Sequence, residues 1–310
     1  MAAADSSALT GRVTQLSVGL ATLLVAAKAT AWLVSGSIGM MASLGDSVLD
    51  LVAALTTFFA VRYAAEPPDA EHRFGHGKAE AFASLVQAGL VFASAALIGR
   101  EAIARIVHPE AVGAEVFAIT VMVVSTFAVI GLVWAQTQVL KQTGSVAIHG
   151  DRAHYMADIV CNGAALIGIV GVMIFKDPRI DAVAGLFVAG WLVHGAVDVF
   201  REAASQLMDR ELDDDDRRLI IKLASDDPQV LGVHQLRSRA SGPFVHMQMH
   251  MDLDPGMTLD AAHRIVVAAE NRILAVFPAA DILIHADPDG HAEPHGGAFG
   301  EGGGLALHDH

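Results

Sequence analysis

Asp46 and Asp50 stand in the stretch DSVLD, which interrupts a run reading IGMMASLG before it and LVAALTTFFAV after it. Residues four apart share one face of a helix. Two carboxylates together at membrane depth are too costly to stay uncompensated. A matching pair occurs later, in HYMAD, where His154 and Asp158 have the same spacing inside another apolar run. Three carboxylates and one imidazole converging from two helices make a four-ligand set of the kind that holds a divalent transition metal. The plainer alternative is that these groups satisfy one another or line a wet cavity. That suits a single intramembrane aspartate better than two matched pairs. Lys28 stands apart in the first apolar run, free to snorkel or to pair with a carboxylate.

The elements that must position these residues follow from composition. The chain has 310 residues, 53% of them hydrophobic and 17% charged, a balance that points to a membrane protein. Apolar stretches at 13–35, 38–64, 80–107, 113–139, 145–175 and 179–200 are each long enough to cross the roughly 30 Å of hydrocarbon as a helix. The first runs past the length of a signal h-region and lacks a small-residue cleavage site, so it is expected to remain as an anchor. A net charge of -14 argues against a nucleic-acid partner, and one cysteine, Cys161, allows neither an intrachain disulfide nor a thiolate cage.

Cations set the expected orientation. Arg12, Arg62, Arg73, Lys78, Lys141, Arg201 and Arg210 fall on one side, against Lys176, Arg179, Arg100 and Arg105 on the other. The positive-inside rule then places both termini in the cytoplasm.

After Met208 the texture becomes charged and amphipathic. The pattern predicts helix 211–226, strands 230–239 and 244–253, helix 258–277 and strand 281–287. In the second strand, Val245, Met247, Met249, Met251 and Leu253 alternate with His246, Gln248, His250 and Asp252, one face for a core and one for polar groups. The expected architecture is an all-α six-helix transmembrane bundle over 1–208. It is followed by a cytoplasmic α+β domain over 209–288, with order αββαβ and a ferredoxin-like or metallochaperone-like layout. The glycine- and histidine-rich tail, 289–310, is expected to be disordered, its His291, His295, His308 and His310 a solvated terminus rather than a metal-gathering arm.

Together, GSIGMMASLGDSVLDLVAAL, HRFGHGKAEAFASL and HYMADIVCNGAAL resemble the cation diffusion facilitator family, in its bacterial zinc and ferrous-iron efflux branch. The likeness runs from about residue 12 to Pro288. It implies a transport site of Asp46, Asp50, His154 and Asp158 midway across the bacterial inner membrane. It also implies a cytoplasm-facing loop site of Asp69, His72 and His76, and a binuclear cytoplasmic-domain site of His234, His250, His263, His285 and Asp287. By spacing alone, D-x-x-H-x-x-x-H is a common loop pattern. His285 and Asp287, two apart, share a strand face, with His250 on the polar face of a neighbouring strand. His246 has no counterpart in the family pattern, and Ala286 stands where relatives often carry a polar residue. A homodimer is implied too, held in part by an ion pair between Lys78 and Asp209.

The chemistry of the membrane site suggests its mechanism. Ligands must lose protons to bind metal, so metal and protons compete for the same side chains. His154 is the best proton carrier, because an imidazole's ordinary pKa of about 6.5 lies in the working range, with Asp50 as its companion. The expected activity is metal-for-proton antiport by alternating access, with Zn2+ as cargo and regulatory ligand, Fe2+ or Cd2+ as other cargo, and no organic cofactor. Two rivals are a membrane-embedded metalloenzyme, which four protein ligands would leave without an open position, and a membrane-anchored metal sensor, which would leave DSVLD and HYMAD without a purpose.

Overall fold

A computed structural model describes residues 3–35, 38–108, 116–175 and 179–290. Lys176 and the tail beyond Gly290 lie outside the described residues. The chain divides into two compact units, one comprising Ser6–Ala204 and the other built from Ser205 onward.

The first unit is helical: α1 (Ala3–Ser35), α2 (Ile38–Ala64), α3 (Ala79–Val107), α4 (Val116–Thr143), α5 (Val146–Phe175) and α6 (Arg179–Leu207). All six are long and apolar enough to span a membrane. Three run well beyond the apolar stretches read from sequence: α1 begins at Ala3 and not at 13, α4 continues from Val139 to Thr143 and ends where Gly144 takes a φ of 61°, and α6 carries on past Phe200 to Leu207. Hydropathy stops at the first charges, whereas backbone hydrogen bonding continues until a residue breaks it.

Lipid supplies no hydrophobic drive between helices, so the bundle closes by letting backbones approach through small residues. Ala81, Ala88, Ala95 and Ala102 recur every seven residues along α3, and Ala182, Ala189, Ala196 and Ala203 do so along α6; all eight are buried. Val91, Ala95, Ala157, Val188, Leu192 and Ala196 form one cluster joining α3, α5 and α6. A Cβ on Gly150 of α5 would stand 2.8 Å from the Ser84 Oγ and 3.0 Å from its Cα, so glycine lets α5 lie directly on the backbone of α3.

The second unit contains α7 (Asp214–Ala224), β1 (Gly232–Ser241), β2 (Phe244–Leu253), α8 (Leu259–Val276) and β3 (Ala280–Pro288). Asp213 caps α7 by accepting from the Asp216 N–H, and Thr258 caps α8 by accepting from the Ala261 N–H, which sets both start points inside the ranges read from sequence. The sheet order is β1-β2-β3, with β1 and β2 antiparallel and β2 and β3 parallel across the α8 crossover. Met247, Met249, Met251 and Leu253 are buried against Ile220 and Ile221 of α7 and Ile265, Ala269 and Ile273 of α8. Both helices therefore cover one face, and the αββαβ order is as expected. The other face keeps its polar side chains.

Candidate metal centres

Within the helical unit, α2 and α5 bring Asp50, His154 and Asp158 together, with one ligand atom of each within 4.8 Å of the others. His154 is 7% exposed, and its Nε2 lies 3.1 Å from Asp50 Oδ1. That is hydrogen-bond distance, with the donor set by the protonation state of the pair. Asp46, one turn earlier on α2, is exposed and outside this three-residue group. Lys28 reaches α2 from α1, donating to the Ser47 Oγ at 2.7 Å and the Ser43 carbonyl at 3.2 Å. It thereby ties α1 to the turns that carry Asp46 and Asp50.

One turn before His154, sequence reasoning missed a hub. The buried Asp151 carboxylate accepts from Ser17 Oγ of α1 at 2.9 Å, Gln136 Nε2 of α4 at 2.8 Å and Gln87 Nε2 of α3 at 3.3 Å. The same Gln87 amide reaches the Thr57 Oγ1 of α2 at 2.9 Å. Directly and through Gln87, one carboxylate thus gathers five helices around the turn before the Asp50, His154 and Asp158 cluster. An aspartate inside the fifth apolar run was a visible signal, but its partners lie up to 134 residues away. Asp151→Leu would remove an acceptor shared by three buried donors, each of which keeps another partner, at about 1 kcal/mol each. Thermal unfolding in detergent should show a loss of about 3 kcal/mol, with intact stability counting against the hub.

In the loop after α2, Asp69 Oδ2 lies 3.3 Å from His76 Nε2 and its Oδ1 lies 3.4 Å from His72 Nδ1. These spacings match the edge of a tetrahedron about an ion with bonds of about 2.1 Å. His76 is buried beside the Tyr63 ring, while Asp69 and His72 are exposed. The His72 and Glu71 backbone N–H groups both donate to Asp69 Oδ1, and the first of these chiefly holds its carboxyl below the usual carboxylate range. A depressed pKa keeps that group charged until the pH falls through the lowered value. Acid should therefore neutralise Asp69 only below the ordinary carboxylate range. Zinc titrations of the full chain at stepped pH, with Asp69→Asn beside wild type, would check this: wild type should retain more zinc at every pH above that range, and identical retention would refute it.

In the second unit, register does the positioning. His234 of β1 pairs with His250 of β2, which pairs with His285 of β3, so three imidazoles form a row across the sheet. Asp252 and Asp287 pair in the adjacent row. Asp287 lies 2.7 Å from His250 Nδ1, 3.1 Å from His285 Nε2 and 3.8 Å from His234 Nε2. The ligand atoms of His234, His250 and Asp287 lie within 4.8 Å of one another. A bulge after His234, with Gln235 at a φ of 51°, brings that histidine opposite His250. Asp252, absent from the predicted set, lies 3.2 Å from His234 Nε2. A Cβ on Gly232 would meet its Oδ2 at 2.6 Å, so glycine makes room for it. His263 is exposed on α8 and lies outside the group. His246, which has no counterpart in the family pattern, is buried at the far end of β2 with its Nδ1 3.1 Å from Asp281. Asp209 lies 2.9 Å from Arg239 Nη1 of its own chain.

Residues 14–208 match the profile of the cation efflux transmembrane domain, and residues 212–289 match that of the cation efflux protein, cytoplasmic domain. The chain is 36% identical over 284 residues to the cation-efflux pump FieF of Cronobacter sakazakii, covering 92% of this chain and 94% of that protein. It is 38% identical over 269 residues to the FieF of Serratia proteamaculans, covering 87% and 89%. A solved nickel form of the MamM CTD aligns with 23% of this chain and 92% of its own at 26% identity, with a TM-score of 0.22. Six spanning helices, the match of both domains and full-length kinship with cation pumps make this chain a multi-pass membrane transporter rather than an enzyme, and a member of the cation efflux family.

Proposed function

We propose that the chain exports Zn2+, and with it Fe2+ or Cd2+, from the cytoplasm of a bacterial cell in exchange for protons. The observation that carries this reading is the 3.1 Å contact of His154 Nε2 with Asp50 Oδ1. The lone pair that would bind a metal is engaged with a proton there, so a cation can enter only as that proton leaves. Asp158 completes the cluster, and Asp46, one turn away on α2, joins it on a modest rotation of that helix. With the site open to the near-neutral cytoplasm, metal displaces protons. When the bundle opens to the more acidic outside, protons displace metal. One imidazole among carboxylates suits zinc without excluding other divalent ions.

Both termini lie in the cytoplasm in this reading, so the Asp69, His72 and His76 loop and the His234, His250, His285 and Asp287 row face the metal pool to be relieved. Binding there, with His263 contributing to a second ion, regulates transport by shifting the packing of a homodimer. Lys78 pairs across the dimer with Asp209, which shares its carboxylate with Arg239. Exchanging Lys78 and Asp209 in a double swap should restore activity lost in each single change; a double variant as inactive as the singles would count against the pair.

The test of the main reading uses wild-type protein in liposomes containing dyes for metal and for protons. An acidic interior should speed metal uptake, and the interior should become more alkaline as metal enters. Uptake indifferent to the size and direction of the pH gradient would overturn the exchange mechanism.

A further inference from the structure

Besides the transport-site residues, α6 carries a second histidine and aspartate at the same spacing. His194 Nε2 lies 3.7 Å from Asp198 Oδ2, and the two side chains are 78% and 54% exposed. Packing fixes their depth. Leu192 and Ala196, on either side of His194, are buried with Ala157, which lies next to Asp158 in the chain. One turn beyond Asp198, Glu202 meets His149 of α5 at 2.6 Å. His194 is also twelve residues from one end of the span Ala182–Leu207 and thirteen from the other. The pair therefore stands at the level of the transport site, but on the outside of its own bundle.

An aspartate is too short to reach the head groups as a lysine or arginine can. Contact with lipid is not a stable setting for it, and protein must cover this face. The same side of α6 presents Val183 and Phe187, both well exposed, and then Gly190, so an apolar stripe runs up to one polar turn.

We infer that this face of α6 packs against the same face of a second copy of the chain, and that the two His194 and Asp198 pairs close around one divalent transition-metal ion on the two-fold axis. The inference rests on the reading of the protein as a membrane metal transporter. Identical copies inserted in the same sense are related by an axis along the membrane normal, which sets His194 opposite His194 and Asp198 opposite Asp198 at one depth. One nitrogen and one oxygen become two of each, the tetrahedral complement of zinc-like ions. Two carboxylates balance the charge of one divalent ion, leaving a neutral assembly among lipid tails. The spacing agrees: 3.7 Å is longer than a hydrogen bond and near the edge of about 3.4 Å that two ligands of one tetrahedral ion share.

Two measurements on the full chain test this. In a Cys161→Ala background, Phe187→Cys and Gly190→Cys should each form disulfide-linked dimers in native membranes under mild oxidation, at least about tenfold faster than Phe127→Cys on the lipid face of α4. Equal rates would remove the interface. In detergent, after dialysis against Zn2+, the double variant His194→Ala with Asp198→Ala should hold one ion fewer per two chains than wild type. Unchanged metal content, with cross-linking intact, would remove the ion and overturn the site. Neither readout depends on transport, so a failure of metal and proton exchange would not produce either result.

Discussion

Metal efflux by Asp50→Ala is expected to fall more than about a hundredfold below wild type, since residues that merely support metal ligands are already worth about 10- to 100-fold. Asp50 is both a ligand candidate and the partner of His154 Nε2 at 3.1 Å. Its removal leaves two ligand atoms of the group and frees the imidazole to turn. Proteoliposomes with an internal metal dye would measure the loss. A rate above a tenth of wild type would mean that the cation takes another path. His154→Asp is the informative companion. It keeps the number of donors but replaces the nitrogen with oxygen, and carboxylates suit manganese better than zinc. Zinc transport should fall while preference moves towards manganese. Loss of both together would point to a damaged fold instead of an altered site.

Asp287→Ala should remove metal from the second unit with a comparable loss of affinity, more than about a hundredfold. Its carboxylate stands within 3.8 Å of three imidazoles, closest to His250 at 2.7 Å. The core lies on the opposite face of the sheet, among the methionines of β2 and the isoleucines of α7 and α8, so the domain should keep its fold. Zinc content measured in Asp50→Ala chains, where the membrane site is already disabled, isolates the effect. His263→Ala in the same background is the contrast: from its exposed position on α8 it should cost far less than Asp287→Ala. Equal losses from the two changes would place His263 among the principal ligands.

The membrane cluster was legible as a grouping of side chains because one rule sufficed: residues four apart in an apolar helix share a face. Asp50, His154 and Asp158 meet as that rule requires. Asp46 obeys the same spacing, yet it is exposed, because sharing a face with Asp50 does not decide how far α2 is rotated one turn away. Alternation along β2 made its buried methionines and polar histidines readable, and His250 with them. Asp252 escaped because its place beside His234 depends on a bulge and on the pairing of separate strands, neither of which is written in local pattern. Asp151 escaped for a similar reason. Its partners are a serine and two glutamines on other helices, residue types that carry no spacing signal of their own.

The contact at Gly150 bears on how the bundle can move. Where Gly150 rests on Ser84, no cushion of side chains separates α5 from α3, and sliding one helix along the other would drive backbone into backbone. The two helices must then swing as a single lever. Any bulky residue at position 150 would force α5 away from α3.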